Sequence, residues 1–212
     1  MPERTFAFVD LSGFTALTEA HGDDEAVATL GRFRRLAEGA LGADDVLVKT
    51  IGDAIMVAFS DPVGAVSALR RIFDAAVADP AMPLIRGGVH HGQAVEEGND
   101  FFGAAVNLAA RVAAQAAGGQ LLATTTVALA ARDAGEVVTH VGLVTLRNIA
   151  EPVDVYEIEL HPGSEIALDP VCAMKVPTAG PSVVHLRYAD RDVWFCGLPC
   201  VARFAAAPER YR

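Results

Sequence analysis

Asn107 and Arg111 stand in the run Asp100-Phe-Phe-Gly-Ala-Ala-Val-Asn-Leu-Ala-Ala-Arg111. The stretch from Gly103 to Ala117 is rich in Ala, Leu and Val, which predicts a helix. Residues four apart on a helix share a face, so the amide and the guanidinium project together. Arginine presents a planar donor fork that suits phosphate oxygens, so a phosphate-bearing ligand would give the pair a purpose. A solvated arginine beside a locally satisfied asparagine is the alternative. Two other segments carry isolated carboxylates where apolar strands end. Thr5-Phe-Ala-Phe-Val-Asp10 closes on Asp10, and two β-branched runs between Val46 and Phe59 meet at Gly52-Asp53, a hairpin-turn signal. Taken singly, Asp10 could cap a following helix and Asp53 could serve the turn. Neither reading explains Lys49, which sits beside the turn in a run otherwise built for burial, where lysine is rare without a partner.

Together these segments resemble the catalytic domain of the class III adenylate and guanylate cyclases. The matching pieces are Phe8-Val-Asp10-Leu-Ser-Gly-Phe-Thr15, Lys49-Thr-Ile-Gly-Asp53, Asp100 through Arg111, and the ending Leu146-Arg-Asn-Ile-Ala-Glu-Pro-Val-Asp-Val-Tyr156. Their order and spacing are intact from about Arg4 to Leu160. The resemblance implies that Asp10 and Asp53 are ligands of two Mg²⁺ or Mn²⁺ ions, which prefer oxygen donors. It implies attack of the ribose 3′-hydroxyl on the α-phosphate of the same nucleotide, with loss of pyrophosphate. Arg111 would then stabilise charge on the α-phosphate and Asn107 would orient the ribose, positioning and electrostatics being the main levers in phosphoryl transfer.

Lys49 and Asp100 bear on the base. Adenine offers an N1 acceptor and an N6 donor, which a lysine donor and an aspartate acceptor match. Guanine offers the opposite order and would leave both side chains facing like groups, a costly mismatch. Guanylate enzymes of the family typically carry Glu and Cys here, so ATP is the expected substrate. Many members have Leu-Lys-Gly where this chain has Leu146-Arg147-Asn148, so Arg147 is a candidate phosphate contact with altered geometry. In the family Asp10 and Asp53 of one protomer face Lys49, Asp100, Asn107 and Arg111 of the other, which implies a homodimer with two sites. A catalytically weak partner that responds to nucleotide or metal is the alternative function.

The elements that must position these residues follow from periodicity and turns. Strands are expected near Thr5–Asp10, Val46–Thr50, Ala54–Phe59, Leu84–His91, Gln120–Ala123, Val137–Val141, Gly142–Leu146 and Val153–Ile158. Helices are expected near Asp24–Leu41, Pro62–Ala78, Gly103–Ala117 and Thr126–Ala131. This mixture predicts an α+β sandwich with a mostly antiparallel sheet, ferredoxin-like in origin by the resemblance. The adjacent pair His90-His91 points to opposite faces of a strand, so it reads as structural rather than chelating. The chain has 212 residues and a net charge of −10, which argues against nucleic acid as a main partner. Its 52% hydrophobic content lies in short runs, none approaching a membrane span, and the start Met1-Pro-Glu-Arg-Thr lacks the pattern of a signal peptide. A cytoplasmic protein is therefore expected.

After residue 160 the character changes. Residues 161–168 read as a linker between a catalytic domain at 1–160 and a tail at 169–212. All three cysteines, Cys172, Cys196 and Cys200, lie in the tail, which holds six Lys/Arg against four Asp/Glu while the rest holds 11 against 23. Asp169-Pro-Val-Cys-Ala-Met174 and Val193-Trp-Phe-Cys-Gly-Leu-Pro-Cys200 resemble a YHS domain, with Ala173 where that family usually has Gly and Gly197 where it has Ser. The cysteines suit zinc or another soft metal, with His185 expected as fourth ligand and Asp169 as a weaker one. Buried small hydrophobes or a reversible disulfide are the alternatives. A role of the tail in sensing metal or redox state is the expectation.

Overall fold

The computed structural model describes residues 3–160, 166–179 and 184–211. Up to residue 160 the elements run β1 (Glu3–Leu11), α1 (Phe14–His21), α2 (Asp23–Ala40), β2 (Val46–Ile51), β3 (Ala54–Phe59), α3 (Pro62–Ala78), β4 (Ile85–Gln93), β5 (Val95–Glu97), β6 (Asp100–Phe102), α4 (Ala104–Ala113), β7 (Leu121–Thr124), α5 (Thr125–Asp133), β8 (Val137–Val144) and β9 (Val153–Glu159). Seven strands form one sheet in the order β2-β3-β1-β4-β7-β9-β8, antiparallel except for the β4–β7 pair. The α+β architecture expected from the sequence is the one observed.

Alternation along β1 divides the molecule. Ala7, Val9 and Leu11 face a large core with Phe33, Phe59, Leu69, Ile72, Phe73 and Val127, built by α2, α3 and α5. Phe6 and Met56 face the opposite way, into a smaller cluster with Phe101, Ala105, Val106 and Ala109 under α4. Asp61 caps α3 by accepting from the Val63 and Gly64 amides, and Pro62 opens the first turn, where its missing N–H costs nothing.

Several boundaries differ from expectation. The segment expected to hold two strands, Val137–Val141 and Gly142–Leu146, is the single strand β8. A bulge between His140 and Gly142, with Gly142 at φ +122°, mimics a break, and Leu146 is buried beyond the strand end. The α4 helix stops at Ala113, four residues before Ala117. The short helix α1 and the β5–β6 hairpin were not anticipated. Gly22, at φ +87° and ψ 171°, breaks the chain direction between α1 and α2.

Of the expected linker, residues 161–165 lie outside the described residues. Its last three, Ile166–Leu168, form β10, which pairs with β11 (Lys175–Pro177). A second hairpin joins β12 (Val184–Tyr188) to β13 (Arg191–Phe195), followed by α6 (Leu198–Ala206) and a 3₁₀ turn at Pro208–Tyr211. Val171, Cys172, Val193, Phe195, Cys200 and Phe204 form the tail's core, with Ala20 of α1 packed against it. The tail is also anchored by Lys175, whose buried ammonium donates to the Ala76 carbonyl and, at 2.7 Å, to that of Val77. Both carbonyls belong to the last turn of α3, where a cation is favoured.

Candidate active site

The central position of β1 sets the geometry. Asp10 lies next to its end, opposite Ala54 of β3 on one side and Arg86 of β4 on the other. It shares the α4 face of the sheet with Phe6 and Phe8, because side chains alternate. Arg86 donates from Nε to Asp10 Oδ1 at 2.6 Å and from Nη1 to the Ala116 carbonyl at 3.2 Å. Asp53 occupies the β2–β3 turn beside Gly52, whose φ of +63° suits the tight reversal. Burial raises the Asp10 proton affinity, Arg86 opposes it, and the negative charge of Asp53 raises it further. Both carboxylate side chains offer hard oxygen donors of the kind divalent cations prefer.

Lys49 of β2 pairs with Met56 across the ladder, after a register shift that follows Leu47. Its ammonium reaches Asp100 Oδ2 at 2.5 Å and lies 5.5 Å from the centre of the Phe102 ring. The Asp100 carboxyl is held below its usual range by Lys49 and by the Phe101 amide, which donates to Oδ1. The two side chains are 36% and 30% exposed, so both remain open to a ligand. The β5–β6 hairpin is what brings Asp100 to Lys49, 51 residues away in sequence.

Asn107 and Arg111 project from the exposed side of α4, with Val106, Ala109 and Val112 on the buried side. Neither makes a side-chain hydrogen bond or ion pair among the described residues. Arg147 is exposed in the turn after β8, and Asn148 beside it has φ +63°. Asparagine tolerates this left-handed backbone better than other non-glycine side chains, which accounts for Asn at this turn. Structural roles for the two histidines are visible: His90 Nδ1 bonds Thr124 Oγ1 at 2.7 Å, and His91 Nδ1 bonds Thr5 Oγ1 at 2.9 Å, each across to a neighbouring strand.

Sequence reading missed Arg86. Its signal was a single cation in the β4 run Ile-Arg-Gly-Gly-Val-His. What reveals its role is the register that sets it against Asp10.

In the tail, Cys172, Cys196 and Cys200 converge, as their types suggested. His185 does not join them. It lies 3.8 Å from Asp192 and stacks on Trp194, because its strand position faces along the β12–β13 hairpin. The imidazole beside the thiols is that of His21, the last residue of α1. Asp169 lies beside the thiols, close enough for its charge to act on Cys196, but is not one of the four donors that converge. Its carboxylate accepts from the amides of Val171 and Cys196 at 2.8 Å each.

Comparison with known proteins bears on the first of these parts. Residues 2–159 match the model of the adenylate and guanylate cyclase catalytic domain. A pH-sensitive adenylate cyclase of Mycobacterium tuberculosis is 36% identical over 132 residues, covering 62% of this chain and 33% of that protein. The chain spans less than half of the length of these curated relatives, from 17% to 45%. Among solved structures, a Trypanosoma brucei adenylate cyclase in its monomeric state superposes with a TM-score of 0.69 at 23% identity, over 77% of this chain and 92% of that one. An adenylate/guanylate cyclase/hydrolase from Silicibacter pomeroyi superposes with a TM-score of 0.67 at 27% identity, over 74% and 95%. Among the described residues, no helix is long and apolar enough to cross a membrane.

Proposed function

The chain belongs to the adenylate and guanylate cyclase catalytic domain family, and on that premise we propose that it is an adenylate cyclase, converting ATP to 3′,5′-cyclic AMP and pyrophosphate. The observation that carries the choice of base is the Lys49–Asp100 pair, a donor beside an acceptor, 2.5 Å apart and open to a ligand. Adenine N1 accepts from Lys49 and its N6 amino group donates to Asp100. Guanine would meet both with like groups.

Asp10 and Asp53 are the residues that would hold two Mg²⁺ or Mn²⁺ ions, which supply charge neutralisation on the phosphates and a more acidic 3′-hydroxyl. Arg111 donates to the α-phosphate oxygens as the bond to pyrophosphate breaks, and Asn107 holds the ribose so that its 3′-oxygen is in line. Arg147 is a further phosphate contact.

A homodimer completes the site. The helices α2, α3 and α5 cover one face of the sheet, whereas α4 covers only part of the other. Asp10, Lys49 and Arg86 lie on that partly covered face. Exposed Ile51 and Phe102 add apolar surface that a second copy would bury.

The test is cyclic AMP production from ATP with Mn²⁺ and then Mg²⁺, across protein concentrations. The specific rate is expected to climb with concentration and to vanish in Asp53→Ala. Equal amounts of Asp53→Ala and Arg111→Ala, each inactive alone, should regain about a quarter of wild-type activity, since half the dimers are mixed and each has one intact site. No product under any metal, or no recovery on mixing, would refute the reading.

A further inference from the structure

We propose that His21, Cys172, Cys196 and Cys200 form a tetrahedral zinc site that staples the C-terminal module to the first helix of the catalytic domain. The proposal stands on ligand geometry and is independent of the cyclase reading.

The four donor atoms all lie within 4.8 Å of one another. Cys172 Sγ is 3.5 Å from Cys196 Sγ, which is 3.7 Å from Cys200 Sγ. His21 Nε2 is 3.7 Å from Cys196 Sγ and 3.8 Å from Cys200 Sγ. Zinc bonds of about 2.3 Å to sulfur and about 2.0 Å to nitrogen place tetrahedral ligands roughly 3.5–3.8 Å apart. Four of the six separations fall in that range, and the other two are no more than 4.8 Å. Three thiolates and one imidazole complete a closed structural coordination set.

The supporting shell is also present. Asp169 grips both ligand loops: one carboxylate oxygen accepts from Val171 and the other from Cys196, and its carbonyl accepts from Ala173 at 2.8 Å. Such partners hold first-layer ligands in place. Cys200 sits in the first turn of α6, after Pro199, and burial followed by the charge of Asp169 pushes its thiol up to about 12, so an incoming ion would have to displace that proton. Cys172 and Cys200 are buried while His21 and Cys196 are exposed, so the site is anchored inside and open to an incoming ion. A tail of this size has a small core and gains stability from a metal.

The bridge reaches the loop that carries Asp10. A Cβ built on Gly13 would lie 2.3 Å from the Ala173 Cβ, so the cysteine loop rests directly on the turn between Asp10 and α1. Ala173 itself holds φ +58°, a left-handed backbone that disfavours side chains, and its methyl group is what meets Gly13. Zinc binding would therefore order residues 12–21 as well as the tail.

The experiment uses the full chain, stripped of metal, reduced, and titrated with Zn²⁺ or with Co²⁺ as a spectroscopic probe. One ion per chain is expected, with the sulfur-to-cobalt charge-transfer band and the intense d–d bands of a tetrahedral site. His21→Ala, at an exposed position, should weaken binding by at least the roughly 10–100-fold that loss of an outer-shell partner costs and shift the d–d bands, whereas His185→Ala should change neither. Zinc should slow amide exchange over residues 12–21 in wild type and not in His21→Ala. The staple is overturned if His185→Ala rather than His21→Ala alters the spectrum. It is equally overturned if wild type and His21→Ala bind alike, as a Cu(I) site of three thiolates would, or if no ion binds and Cys172 and Cys196 oxidise to a disulfide instead.

Discussion

Gly88 is where α4 can rest on the sheet. It lies on β4, between β1 and β7, so its strand is held on both sides. A Cβ at Gly88 would sit 2.0 Å from the Ala113 nitrogen, 2.4 Å from the Ala113 Cα and 2.6 Å from the Val112 carbonyl carbon. Comfortable contacts begin near 3.5 Å, so α4 must lift by roughly 1–1.5 Å in Gly88→Ala. All three atoms are backbone, and no side-chain rotation relieves them. Overpacking of this kind costs about 3 kcal/mol, equivalent to roughly 6–12 °C in melting temperature for a chain of this size. Because α4 carries Asn107 and Arg111, a shift near 1 Å should also lower turnover about 100-fold. Gly39→Ala is the matched control: it lies in α2 with nothing within 4 Å of a new Cβ, so it should be neutral or stabilising by up to about 1 kcal/mol. Urea unfolding followed by far-ultraviolet circular dichroism measures both. A Gly88→Ala protein within about 0.5 kcal/mol of wild type would show that α4 does not depend on this close approach.

Two further outcomes are expected. Lys49→Glu combined with Asp100→Cys should reverse the donor–acceptor order and move activity from ATP toward GTP, changing the ratio of catalytic efficiencies about 10⁴-fold; retained ATP preference would mean that the pair does not read the base. Burial, aided by the neighbouring His91, pushes His90 down to about 4. The unfolded chain then binds more protons than the folded one between pH 6.5 and 4, so stability is full above pH 6.5 and falls by up to about 3 kcal/mol as pH drops to 4. His90→Gln, which can keep the bond to Thr124, should flatten that slope in urea titrations at pH 7, 6 and 5; an unchanged slope would place the acid sensitivity elsewhere.

Much of the catalytic framework is written locally. Alternation in Thr5–Asp10, the Gly52-Asp53 turn and the Ala-rich run before Arg111 each reflect neighbours within a few residues, and those elements stand close to where their patterns place them. The pairing of Lys49 with Asp100 followed from base chemistry and family resemblance, and the β5–β6 hairpin brings the two together. The short helix α1 was not legible, because Gly13 and Gly22 bracket only eight residues and leave too little periodicity to detect. The false break at Gly142 arose because a bulge and a turn use the same residue type.

Residue types, spacing and the resemblance they carry therefore marked Asp10, Asp53, Lys49, Asp100, Asn107 and Arg111 and most of the longer strands and helices, since propensity, periodicity and turn formation are short-range effects. Tertiary structure decided the partners. Arg86 meets Asp10 through strand register across 76 residues, and His21 rather than His185 meets the cysteines across 151 to 179 residues. No local pattern encodes such meetings. They depend on how the sheet stacks its strands and on where Gly13 lets the cysteine loop settle against α1.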